Sequence, residues 1–103
     1  MNRKQIAIDF AKSLNHPEIE KIVLFGSVAR GEDSEESDID ILIITKKEND
    51  DIKIKRDIYS KVFKILMSMG ERISIKMRHL NQYNEYINFP FYINIEKEGI
   101  VLK

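Results

Sequence analysis

The apolar run Ile22-Val23-Leu24-Phe25 stops at Gly26-Ser27, and a second apolar run, Ile41-Leu42-Ile43-Ile44, is headed by Asp38-Ile39-Asp40. Two short continuous apolar runs of this kind are predicted to be strands buried in a sheet. Glycine after a strand allows a sharp turn and a close approach of the backbone to a ligand. If a helix follows, its first amides point toward an anion. On the second strand the side-chain period is two, so Asp38 and Asp40 share one face and Ile39 and Ile41 the other. Paired carboxylates at that spacing repel unless a cation lies between them, and hard oxygen ligands suit magnesium, which also bridges phosphates.

Each half of the motif has an ordinary explanation. Gly-Ser after a strand is commonly a turn, and Asp-x-Asp at a strand start is commonly a capped, solvated edge. Their joint occurrence, with Ala29-Arg30-Gly31 and Ser37 between them, is much harder to obtain by accident.

The whole run, G-S-x-A-R-G-E, then an acidic loop, then S-D-I-D-x-x-I over residues 22–44, resembles the signature of the DNA polymerase beta-type nucleotidyltransferases. It is most similar to their minimal prokaryotic group. Residues 95–102, Ile95 to Leu102, resemble that group's final helix and strand. The resemblance implies an α/β fold with a small mixed sheet packed with helices. It also implies Asp38 and Asp40 as catalytic metal ligands for Mg2+, with Gly26, Ser27 and Arg30 binding the nucleotide. Two metals serve transfer in such enzymes, one activating the attacking hydroxyl and one neutralising the triphosphate. Minimal members are commonly paired with a HEPN-domain protein from a neighbouring gene, as antitoxin and toxin. The implied reaction is transfer of AMP from ATP to a hydroxyl, a tyrosine of that partner.

One position departs from the pattern. The resemblance implies a third carboxylate on the third strand, but the outward face of Arg72 to Met77 offers Ser74 and Lys76; Glu71 would serve only if the strand began earlier. A catalytically weakened binding module, neutralising its partner by contact alone, therefore stands beside the enzyme reading.

The 103 residues are enough for one domain over 1–103, and a hydrophobic content of 43% predicts a folded chain. Without cysteine, disulfides and thiolate metal sites are excluded. Seventeen basic and seventeen acidic residues cancel, so no whole-protein attraction to nucleic acid is expected. No apolar segment is long enough for a membrane span, and a cytoplasmic location is expected.

Around the motif, Ile6, Phe10 and Leu14 with Ala7 and Ala11 predict a helix over residues 3–14. Asn15-His16-Pro17 breaks it, with His16 as a turn residue. Residues 46–51 form a charged connection. A long helix is expected from Ile52 to Met69, with Ile54, Ile58, Val62, Leu66 and Met69 as its apolar stripe, widened by Phe63 and Ile65. The basic residues Lys53, Lys55, Arg56, Lys61 and Lys64 are expected on a solvated face. Arg72 to Met77 is expected to be a strand, Asn81 to Ile87 a short helix, and Pro90 opens a helix that Gly99 closes. Tyr83, Tyr86, Phe89, Phe91 and Tyr92 fall within ten residues. Some are expected to be core and the rest a partner-facing patch, in which a charge at Phe89 or Tyr92 would leave folding intact.

Overall fold

The two apolar runs pair with each other at the centre of a four-stranded sheet. Strand β1 (Ile19–Phe25) lies antiparallel to β2 (Ile39–Thr45), with Phe25 opposite Asp40 and Leu24 opposite Ile41. The computed structural model describes residues 2–47 and 52–103. Strand β3 (Ile73–His79) is parallel to β2, and β4 (Ile100–Val101) is antiparallel to β1, giving the order β3-β2-β1-β4. Parallel neighbours need a crossover, and the helix between β2 and β3 supplies it. The expected α/β fold with a mixed sheet is thus observed.

Alternation along β2 divides the molecule into two cores. Ile39, Ile41 and Ile43 face helix α1 (Arg3–Ser13), the short α2 (Gly26–Arg30) and α3 (Ile52–Met69). Leu42 and Ile44 face the opposite way, onto α4 (Leu80–Glu85) and α5 (Pro90–Glu98), where Tyr83, Tyr92 and Ile95 cover them. All of β2 from Ile41 to Ile44 is at most 1% exposed. Each such aliphatic side chain contributes about 1.5–3 kcal/mol on burial, so this strand is the most heavily anchored element. Asp40 lies on the Leu42 face, at the end of the strand where that cover stops.

The first helix forms as its pattern predicts. Ile6, Ala7, Phe10, Ala11 and Leu14 are all buried, and Asn2 caps the helix by accepting from the Lys4 amide at 2.8 Å. His16 sits in the turn and meets Asp57 at 2.7 Å. The third strand runs from Ile73 to His79, slightly beyond the expected Met77. Of the charged connection 46–51, residues 48–51 lie outside the described residues.

Two expectations need correction. On α3 only Ile54 and Ile58 are buried, with Val62 and Ile65 partly covered; Phe63, Leu66 and Met69 are 59%, 39% and 47% exposed. The helix carries a wider apolar band than the sheet beneath it can cover. Among the clustered aromatics, Tyr83 and Tyr92 are core, 4% and 6% exposed, whereas Tyr86 and Phe89 are at the surface. Tyr92 packs edge-on against Tyr83 at 5.3 Å and accepts a hydrogen bond from Arg78 Nε at 3.0 Å, so a charge there belongs to the folding problem and not to a surface.

Candidate active site

Where β1 ends, the chain turns into α2 through Gly26, whose φ is +75°. The turn drives the backbone against the neighbouring strand. A Cβ built on Gly26 would overlap Oδ2 of Asp40 and stand 3.2 Å from its Cγ. Glycine is therefore required twice, for its left-handed conformation and for the space that Asp40 occupies. The helix is short, and Gly31 ends it in the left-handed conformation, with the Glu32 amide returning to the Ser27 carbonyl at 2.9 Å. Ser27, the second residue of α2, is half-buried beside Gly26.

The loop from Glu32 to Ser37 delivers the two carboxylates. Arg3, at the start of α1, holds this loop from the far end of the sequence. Its Nη1 donates to Asp33 at 3.1 Å and to the Ser34 carbonyl, its Nη2 to the Glu35 carbonyl at 2.9 Å, and its Nε to Glu71 at 2.8 Å. Arg72 adds a hydrogen bond to the Glu36 carbonyl at 3.0 Å. The anchored loop then enters β2 through Asp38 and Ile39.

The carboxylates differ in their surroundings. Asp38 Oδ1 lies 3.0 Å from Arg72 Nε. The approach is too oblique for a hydrogen bond, so this shielded oxygen has a charge beside it but no hydrogen-bond partner. Asp40 is pushed above the usual carboxylate range, first by burial and then by the Asp38 charge; Lys76 and Arg30 act in the opposite sense. Lys76 Nζ lies 5.5 Å from the centre of the Phe91 ring. Arg30 is tied to Glu32 at 3.1 Å and to Glu98 of α5 at 3.3 Å, and these carboxylates hold its guanidinium more firmly protonated. Beside Gly26, a cleft of about 210 Å³ opens between Phe25, Arg30, Phe91, Asn94 and Glu98. A larger apolar groove between α1 and α3, lined by Phe10, Ile65 and Met69, shares none of these residues.

The residues fit one divalent cation. Asp38 presents an oxygen without a hydrogen bond, and Asp40 is a crowded carboxylate that a nearby positive charge would relieve. No group of three His, Cys, Asp or Glu suited to a metal occurs among the described residues. The sheet register puts Ser74 directly beside Asp40 and Lys76 beside Leu42. Glu71 precedes β3, which starts only at Ile73, and its carboxylate accepts from Arg3 Nε at 2.8 Å, so the earlier strand start that would offer it as a third ligand is not observed.

Gly26, Asp38, Asp40 and Arg30 thus gather at one end of the sheet. Arg72, Phe91, Asn94 and Glu98 were not singled out from the sequence as site residues. Arg72, Phe91 and Asn94 lie outside both segments that carry the resemblance and Glu98 lies in the second, residues 95–102, and the packing of α5 and the β2–β3 register bring all four there.

The chain is 35% identical over 105 residues to a Methanocaldococcus jannaschii protein named a putative protein adenylyltransferase, with 99% of both chains covered. A second protein of that organism with the same name is 37% identical over 99 residues, covering 93% of this chain and 94% of the relative. The fold is shared with the crystal structure of a toxin–antitoxin protein with AMP-PNP, at a TM-score of 0.59 and 20% identity, covering all of this chain and 73% of that one. The family model described as polymerase beta, nucleotidyltransferase, matches residues 8–103, so the chain belongs to the polymerase beta nucleotidyltransferase family.

Proposed function

We propose that this nucleotidyltransferase is a protein adenylyltransferase and an antitoxin. It would move AMP from ATP to a tyrosine hydroxyl of a HEPN-domain partner encoded by a neighbouring gene. The observation that carries the reading is the interlock of Gly26 with Asp40, which sets a close-approach backbone turn against a carboxylate pair. The names of the two archaeal relatives support the chemistry. The toxin–antitoxin fold neighbour crystallised with AMP-PNP supports the nucleotide and the setting. One domain over 1–103, working in the cytoplasm where ATP is available, completes the proposal.

In this reading the phosphates lie over Gly26 and the Ser27 hydroxyl, and Arg30 braces the rim of the cleft through Glu32 and Glu98. Asp38 and Asp40 hold Mg2+, which when bound neutralises charge on the triphosphate. The acceptor oxygen forms a bond to the α-phosphorus as the bond to the bridging oxygen breaks. Pyrophosphate leaves, and the hydroxyl proton passes to solvent. Lys76 offers a further positive charge from β3.

A second reading rests on Ser74. With serine where a third carboxylate would stand beside Asp40, the chain would bind nucleotide and partner and neutralise the partner by contact alone. Transfer of label from ATP carrying radioactive α-phosphate separates the two. Label on the HEPN-domain protein, lost in Asp38→Asn/Asp40→Asn, supports the enzyme. A stable complex without label supports the binding module, and neither label nor complex rejects both.

A further inference from the structure

Helix α3 exposes an apolar stripe that none of the described residues covers. Ile52, Tyr59, Phe63, Leu66 and Met67 are 62%, 52%, 59%, 39% and 69% exposed. Counted from Tyr59, the last three fall at i+4, i+7 and i+8, and Ile52 at i−7, so all lie along one side of the helix. This side is distinct from the one turned to α1, where Lys61 donates to the Ser13 carbonyl at 2.7 Å and Asp57 meets His16. Single exposed apolar residues are ordinary, but a contiguous apolar patch marks an interaction site.

The charge around the stripe selects the occupant. Residues 52–69, which make up α3, contain five Lys or Arg and one Asp, leaving twelve basic and sixteen acidic residues in the rest of a chain with seventeen of each. Lys55 precedes Tyr59 by four residues and Arg56 precedes Phe63 by seven, so basic heads border the apolar side. A second copy of the chain would bring a like-charged face against this one, at an electrostatic cost. Nucleic acid would satisfy the charge but offers no apolar ridge for Ile52, Phe63 and Met67.

We infer that α3 is the docking face for the acceptor protein, which presents an apolar ridge bordered by carboxylates, and that this face is separate from the transfer cleft. The inference rests on the proposed pairing with a HEPN-domain partner. It divides the work of the molecule: α3 holds the partner, and the Gly26–Asp40 end of the sheet acts on it.

The test is a binding titration of the full chain against the HEPN-domain protein of the neighbouring gene. Phe63→Glu/Met67→Glu and Lys55→Glu/Arg56→Glu are run beside wild type. Both double variants change exposed residues outside the cleft, and unchanged thermal unfolding and ATP affinity verify that they are intact. The expected result is at least about tenfold weaker partner binding in each, as for central interface anchors, with wild-type affinity falling as salt rises. In a transfer assay the variants raise the partner concentration needed for half-maximal rate and leave the rate at saturation unchanged. Wild-type affinity in both variants overturns the docking face and leaves the proposed function standing. No binding by wild type overturns the pairing itself, and the docking face with it. A wild-type dimer in light scattering that Phe63→Glu/Met67→Glu dissolves, or binding to RNA or to anionic phosphatidylserine vesicles that replaces partner binding, assigns the stripe to another occupant and overturns the inference.

Discussion

Gly26 and Asp40 occupy the same corner of the sheet, and the absence of a side chain on the first is what gives the carboxylate of the second its place. Gly26→Ala is expected to lower stability by about 1–2 kcal/mol for the left-handed backbone alone, with more from the overlap. Transfer activity should be lost as Asp40 is displaced. Thermal unfolding of Gly26→Ala, Asp40→Ala and the double variant separates the two costs. Additive effects would show that the glycine serves the backbone only.

Asp40 should trade stability for function. Its carboxyl is raised by burial and by Asp38, so the folded state disfavours the charged form. That penalty is fully present above the raised folded pKa and disappears as pH falls below the unfolded value. Asp40→Asn is therefore expected to raise Tm at neutral pH while abolishing transfer, with about 4–8 °C for each kcal/mol relieved in a domain of this size. The gain should vanish in acid. An unchanged Tm in Asp40→Asn would show that the charge is fully compensated.

Ser74→Asp would place a third carboxylate beside Asp40, because the two positions pair in the parallel register. Tighter binding of Mn2+, followed by electron paramagnetic resonance, is expected, together with faster transfer. Without metal, Asp40 should move further upward through the added like charge. Mn2+ affinity equal to wild type would count against a shared site at this end of the sheet.

Arg3→Ala removes the clamp on the loop that carries Asp38. Hydrogen bonds to charged groups contribute about 1.5–3 kcal/mol each, and this guanidinium, 14% exposed, serves Asp33 and Glu71 as well as two carbonyls. Hydrogen exchange should accelerate across residues 33–37 with little change in β1. Arg3→Lys should rescue only part of it, since an ammonium lacks the planar fork. Uniform acceleration throughout the chain would instead mean loss of global stability.

Tyr92 and Phe89 should behave oppositely. Tyr92→Glu puts a charge into the second core and is expected to unfold the domain. Phe89→Glu changes a residue 56% exposed and should change stability by no more than about 0.5 kcal/mol. Circular dichroism melts of the pair check this directly, and a folded Tyr92→Glu would contradict the assignment of the second core.

The site and the fold were legible in different degrees. The stripe Ile6, Phe10 and Leu14 foretold α1 because every residue of it finds cover. The same reasoning overreached on α3, since periodicity shows which side of a helix is apolar but not how much sheet lies beneath it. The aromatics around Phe89 and Tyr92 share a composition, and only packing separates the buried from the exposed. Glu71 stood close to β3 in sequence, and its pairing with Arg3, sixty-eight residues away, was invisible there.

Taken alone, the order of residues settles the strand, the glycine turn and the spaced aspartates, because each follows from local backbone geometry and a side-chain period of two. It also settles family membership, which the motif of residues 22–44 carries within one continuous stretch. The setting of that motif comes from long-range packing. The parallel register puts Ser74 beside Asp40, α5 brings Phe91 and Glu98 to the cleft, and Arg3 and Arg72 hold the acidic loop. These contacts join residues far apart in the chain, so their geometry exists only once both cores have closed on the sheet.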